Sequence, residues 1–164
     1  MEISQKLTDA LNDQINYELY SGYIYLSMAT YMEEQNLNGM ANWLKVQAEE
    51  EYEHAMKFWN HVADRGGRVT LAAIEEPKTE WESPLEVFQD AYEHEMKVTK
   101  RIFDIGELAD ELGDRSVEPL LAWFYDEQVE EEEQTARIRD FLAMIGDSKN
   151  ALFMLDQKLG ARED

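Results

Sequence analysis

Glu51 and His54, in the stretch Gln47-Ala48-Glu49-Glu50-Glu51-Tyr52-Glu53-His54, stand three residues apart. On a helix that spacing sets a carboxylate and an imidazole side by side on one face, where the two can share a metal ion. Glu-x-x-His is frequent on helices, so the pair gains meaning only if other segments bring carboxylates to the same level. Three other segments do, with Glu18, Glu95, and Gln128 together with Glu131. Glu18 to Glu51 spans 33 residues, and so does Glu95 to Gln128. The match reads as two degenerate copies of one unit, in which Gln128 replaces Glu51 and Glu131 replaces His54.

Four helical stripes must carry these residues. The first runs from about Ser4 to Glu34 with Leu7, Leu11, Gln14, Glu18, Ser21, Tyr25, Met28 and Met32 at alternating spacings of four and three. The second, about Asn38 to Arg65, reads Met40, Leu44, Gln47, Glu51, His54, Phe58, and Gly66-Gly67 ends it. Ser83-Pro84-Leu85-Glu86 opens the third as a capping box with proline in the first turn. Its stripe is Leu85, Phe88, Tyr92, Glu95, Thr99, Ile102, stopping near Gly113. The fourth, about Asp114 to Ile145, reads Val117, Leu121, Phe124, Gln128, Glu131, Thr135, Ile138, Leu142, Ile145, with Pro119 in its first turns. After Gly146, Asp147 is placed to cap a short fifth helix through about Leu159. No segment alternates with period two, so the expected fold is all-α.

Connection lengths set the topology. The first–second and third–fourth joints are short, which makes two antiparallel hairpins. Gly67 to Glu82 is long enough, at roughly 50 Å extended, to run the length of a helix of about 42 Å. The expectation is one domain over residues 1–164, a four-helix bundle with one long crossover and a short C-terminal fifth helix. In that arrangement the polar interruptions, all near mid-helix, meet in one layer.

Burying several carboxylates costs several kcal/mol per ion unless they are neutralised, and no lysine or arginine lies on the stripes near this layer. Metal is the economical neutraliser. Two ions bridged by Glu51 share the ligands sensibly, with Glu18 and His54 on one side and Glu95 and Glu131 on the other. Carboxylates with one imidazole suit iron or manganese better than copper or calcium, and zinc fits the same cage as a competitor. Glu50, Glu127 and Glu130 each neighbour a ligand; spacing does not separate a third cation site sharing Glu131 from ordinary solvated acids. Tyr25, two turns past Glu18, is equally readable as a core aromatic or a redox partner. His61 and His94 lack partner spacing and read as surface or supporting residues, and Trp43, Trp59, Trp81 and Trp123 as packing residues.

Composition narrows the class. The chain has 164 residues, 44% hydrophobic and 11% aromatic, with three prolines and no cysteine. That excludes disulfides, iron–sulfur clusters and thiolate metal sites. A net charge of −21 repels phosphate backbones and attracts cations, so nucleic acid is not an expected partner. No leader-like apolar region and no run of about 18 apolar residues occurs, which points to a cytoplasmic protein without membrane contact.

Asn16-Tyr17-Glu18-Leu19-Tyr20-Ser21, Glu50-Glu51-x-x-His54 and Trp123-x-x-x-Glu127-Gln128-x-Glu130-Glu131 together resemble the ferroxidase centre of bacterial and archaeal non-haem ferritins. The resemblance covers nearly the whole chain. It implies a first iron site on Glu18, Glu51 and His54, and a second on Glu51, Glu95 and Glu131 with Gln128 close by. It also implies a third site on Glu50, Glu127, Glu130 and Glu131, with Tyr25 as the site tyrosine. Fe(II) oxidation by O2 or peroxide, ferric storage and a homo-oligomeric shell of 24 subunits follow as expectations. Bacterioferritins carry a second Glu-x-x-His where this chain has Gln128-x-x-Glu131, and a haem-binding methionine where it has Tyr52, so no haem is expected. Starved-cell mini-ferritins build their site between subunits and lack this pattern. A rubrerythrin-like di-iron oxidase or peroxidase, and a non-catalytic cation-binding bundle, are the alternatives.

Overall fold

Helix start and stop signals along the chain resolve into five helices in the computed structural model, which describes residues 1–163. They are α1 (Gln5–Glu34), α2 (Asn38–Asp64), α3 (Pro84–Leu112), α4 (Glu118–Ile145) and α5 (Lys149–Leu159), with no strand among the described residues. Ser4, Ser83 and Ser148 cap α1, α3 and α5, each side chain accepting the backbone N–H three residues on. Ser148 rather than Asp147 therefore starts the last helix. Only half of the expected capping box forms at α3. The Glu86 carboxylate accepts from the Glu82 N–H at 2.6 Å, not from Ser83, while Lys78 Nζ holds its other oxygen at 2.8 Å. The expected start of the fourth helix at Asp114 becomes a 3-10 turn, Arg115–Val117, and the α-helix proper begins at Glu118.

Glycine ends α2 as the sequence suggests. Gly66 takes φ 76°, a left-handed conformation costly for other residues, and Gly67 N–H returns to Val62 O at 2.9 Å. The chain then runs back along α1 without regular structure. Asn12 pairs with Arg68 O and Thr70 N–H, Asn16 donates to Ala73 O, and Ser27 donates to Lys78 O. These contacts advance along α1 in step with the crossover, so the connection runs parallel to α1 and delivers α3 parallel to α2. Two antiparallel hairpins, α1–α2 and α3–α4, close into the expected bundle.

The core divides in two. One apolar cluster gathers Met28, Met32, Met40, Leu44, Phe88 and Leu142 among others, and reaches α5 through Leu155 and Leu159. The other holds Leu7, Leu11, Phe58, Ile102, Leu121 and Phe124 at the opposite end. The polar mid-helix positions lie between them. On α3 the buried face is broader than the expected stripe. Val87, Ala91, His94, Val98 and Ile105 are buried, whereas Leu85, Tyr92 and Thr99 are half-buried.

Helix α5 docks on the start of α2. No side chain of Leu37 caps α2; the Asp156 carboxylate does so instead, accepting the Met40 N–H at 2.8 Å. The approach is so close that a Cβ on Gly39 would lie 1.8 Å from Asp156 O. Glycine is required there by contact rather than by torsion.

Candidate metal centre

Each helix contributes from its buried stripe. Glu18 on α1, Glu51 and His54 on α2, Glu95 on α3, and Gln128 and Glu131 on α4 are all buried to within 3% of complete. Ligand-capable atoms of Glu18, Glu51 and His54 lie within 4.8 Å of one another, as do those of Glu51, Glu95 and Glu131. Glu51 belongs to both groups, as the spacing argument expected of a bridging carboxylate. A third group of the same tightness joins His54, Glu127 and Glu131.

Glu18 and Glu51 are each held by one oxygen and leave chemistry to the other. Glu18 Oε1 accepts from Gln14 Nε2 at 2.7 Å, and Glu51 Oε1 from Gln47 Nε2 at 3.1 Å. The second oxygens, Glu18 Oε2 and Glu51 Oε2, are buried and accept no hydrogen bond; the closest cationic group to Glu51 Oε2 is His54 Nδ1 at 3.4 Å. Orphaned buried acceptors cost about 1–3 kcal/mol each, more when charged. A divalent cation in the same space removes that penalty, so the donor set fits a hard or borderline metal. Glu95 accepts from Tyr25 OH through a very short hydrogen bond and from Gln128 Nε2 at 3.1 Å. Glu131 Oε2 accepts from Gln47 Nε2 at 2.7 Å.

The metal-free cage is a proton store. Burial, with like charge from Glu95, raises Glu51 well above the usual carboxylate range, and burial does the same to Glu131. Burial lifts Glu95 to about 7 against the hydrogen bonds from Tyr25 and Gln128. Burial alone would depress His54, yet Glu127 and Glu51 beside it push its pKa up to about 12. Tyr25 is raised well above its ordinary value by burial and by Glu95, so it stays a phenol that donates.

An aromatic wall closes the centre on one side. His54 meets Trp123 and Phe124 edge-on at 5.6 and 5.7 Å, and Phe124 stacks on Phe58 at 4.1 Å. Trp43 and Trp81 are buried packing residues, Trp59 is half-buried, and Trp123 keeps one face exposed under Lys57. On the other side stands His94, which is buried and not on the surface. It bonds Ser21 Oγ at 2.7 Å, stacks on Tyr17 and lies 6.2 Å from Tyr25, supporting the tyrosine from behind. Burial first, then Lys97 and Arg101, lowers its pKa to about 4. His61 is half-buried beside Arg65, at the far end of α2.

Of the outer acids that the resemblance implies for a third site, Glu127 joins a tight group with His54 and Glu131, while Glu50 and Glu130 do not. Glu127 Oε1 turns to His54 Nε2 at 3.7 Å, Glu50 pairs with Arg162 at 2.5 Å, and Glu130 is exposed. Helical periodicity also passed over Gln14 and Gln47 as site residues. Their signal was present: each stands one turn before a glutamate ligand, and the two are again 33 residues apart. Thr99 was likewise missed; it accepts from Gln128 Nε2 at 3.2 Å and donates to Glu132 at 2.6 Å. Arg101, which donates to Gln14 Oε1 at 3.0 Å, and Arg162 come to the layer from off-stripe positions no periodicity would reveal.

A ferritin-like domain model matches residues 8–145. This chain belongs to the ferritin family. Bacterial non-heme ferritins of Staphylococcus aureus (strain USA300) and Staphylococcus saprophyticus are each 39% identical to it over 160 residues. The alignment with the S. aureus ferritin spans 98% of this chain and 96% of that one. An open pore ferritin from the archaeon Archaeoglobus fulgidus superposes with a TM-score of 0.97 at 49% identity, covering 98% of both chains. A humanized archaeal ferritin superposes equally well, with a TM-score of 0.97 at 48% identity over 99% of this chain and 98% of that one. The superpositions extend over nearly the whole chain, and no helix among the described residues is long and apolar enough to cross a membrane.

Proposed function

We propose that the cage is a ferroxidase centre in an iron-storage ferritin, with Fe(II) as its substrate. The observation that carries this reading is the pair of three-residue ligand groups sharing Glu51, drawn from four helices and lined by orphaned carboxylate oxygens. One Fe(II) takes Glu18, Glu51 and His54; the other takes Glu51, Glu95 and Glu131, with Gln128 holding Glu95 in place. Binding two ions side by side lets each give one electron to a single oxidant. O2 then takes two electrons and two protons to leave as hydrogen peroxide, or peroxide takes the same to leave as two waters. Tyr25, which donates its hydroxyl to Glu95, keeps that carboxylate oriented as the ion changes charge.

The Fe(III) moves on to a mineral core inside a closed homo-oligomer of 24 subunits in the cytoplasm, and the negative chain charge steers Fe(II) toward it. No haem is involved, because the exposed Tyr52 stands at the bacterioferritin haem position. Any further ion would use Glu127, Glu130 and Glu131, joined by Glu50 only when its arginine partner lets go.

Aerobic addition of Fe(II) to the iron-stripped protein tests the assignment. Ferric absorbance should rise within seconds in the parent and lag strongly in Glu51→Ala and His54→Ala. Equal rates in all three would remove the assigned centre. Size-exclusion chromatography separates the storage reading, which requires a large shell, from a rubrerythrin-like oxidase, which does not.

A further inference from the structure

Arg162 reaches the metal layer from the tail beyond α5. Docking of Asp156 on Gly39 and Met40 fixes where α5 ends, and Asn42 Nδ2 then donates to Arg162 O at 3.2 Å. The side chain turns inward over the Trp43 ring, 4.4 Å from its centre. Its two amino groups fork. Nη1 donates to Gln47 Oε1 at 3.0 Å, and Nη2 donates to Glu50 Oε2 at 2.5 Å. Only 15% of the side chain is exposed.

A guanidinium has donors and no acceptor. The Gln47 amide must therefore face Arg162 with its oxygen, which aims its NH2 at Glu51 Oε1 and Glu131 Oε2. One cation thus sets the orientation of an amide that touches ligands of both proposed iron positions. The same cation neutralises Glu50, which lies one residue from the bridging Glu51 and belongs to none of the tight ligand groups.

We propose that Arg162 is a positioning residue and a tethered counter-ion: through Gln47 it holds Glu51 and Glu131, and it occupies Glu50 in place of a third divalent cation. The inference rests on the reading of the cage as a metal centre. It makes Glu50 a carboxylate held by the chain's own tail and withdrawn from any third ion.

The test is a calorimetric titration of the assembled, iron-stripped protein with Zn(II), which is redox-silent. The parent takes two tight ions per chain. Arg162→Gln gains a third, bound at least about tenfold more tightly than any third ion of the parent, the ratio that loss of one charge-assisted hydrogen bond supports. Adding Glu50→Gln to that variant removes the gain. Arg162→Lys, which keeps the charge but lacks the planar fork, still excludes the third ion while the pair weakens several-fold. A parent that already binds a third ion through Glu50 as tightly as Arg162→Gln overturns the proposal, as does an Arg162→Gln titration identical to the parent's. Should Arg162→Gln fail to assemble, a third ion gained by Arg162→Lys overturns it. The underlying reading fails separately, if the two tight ions persist in Glu51→Ala.

Discussion

Metal must displace protons to enter this cage, and the number displaced follows from four groups whose pKa values burial and neighbouring carboxylates shift. At pH 6.5 His54, pushed up to about 12, carries a full extra proton. Glu95, at about 7, is roughly three-quarters protonated at that pH by simple titration. Burial raises Glu51 and Glu131 well above the usual carboxylate range as well, which adds to the count. Loading two Zn(II) per chain at pH 6.5 should therefore release about two protons or more. At pH 8, where Glu95 has ionised, the release should fall by roughly 0.7 of a proton. Because each proton released adds one decade of affinity per pH unit, the product of the two binding constants should climb by at least about two decades between pH 6.5 and 8. Calorimetry in two non-coordinating buffers with different ionisation heats reads the count as the slope of apparent enthalpy against buffer heat. Glu95→Gln should lower the pH 6.5 count by about one and erase the difference between the two pH values. A slope of one proton or fewer at pH 6.5, or the same count at both pH values in the parent, would refute the argument that burial stores protons here.

The same shifts govern the metal-free fold. Glu95 titrates near 4.5 when unfolded and about 7 when folded, so the unfolded state releases its proton first and stability falls as pH rises from 4.5 through 7. The loss is about 3 kcal/mol. His54, raised from 6.5 to about 12, adds a decline above pH 6.5; denaturant melts of iron-stripped protein at pH 5 and 8 check both, with Zn(II) expected to reverse the trend. The two metal positions should differ, tighter where His54 binds, so a Zn(II) titration of His54→Ala should lose the higher-affinity step and keep the other. Gly39→Ala forces a methyl into the Asp156 backbone and should lower stability by about 1–3 kcal/mol, seen as an earlier thermal transition with loss of α5 helicity. Phe58→Ala removes the ring stacked on Phe124 and should cost about 3–5 kcal/mol by the same measurement.

Periodicity was a sufficient guide for the six residues of the cage. Glu18, Glu51, His54, Glu95, Gln128 and Glu131 all reach the interior because their helices bury that face anyway. It failed where geometry depends on contacts between distant parts of the chain. Arg162 lies far in sequence from Glu50, and only the close fit of Gly39 against Asp156 brings it there. His94 sits beside Glu95 and off the expected α3 stripe, yet α3 packs against α1 through a wider face, which buries it. The outer acids diverge for a simpler reason. Neighbouring positions on a helix point about 100° apart, so Glu130 faces solvent while Glu131 faces the cage.

The division of the core into two apolar clusters with a polar layer between them also fixes alignment along the bundle axis. Sliding one helix by a turn, about 5.4 Å, would carry a glutamate among the methionines of one cluster or the phenylalanines of the other. Apolar seams alone tolerate such slips; an ionisable layer at mid-depth does not. The carboxylates that weaken the metal-free bundle thus act as its ruler, and the four helices come to rest in the one alignment that iron needs before any iron has arrived.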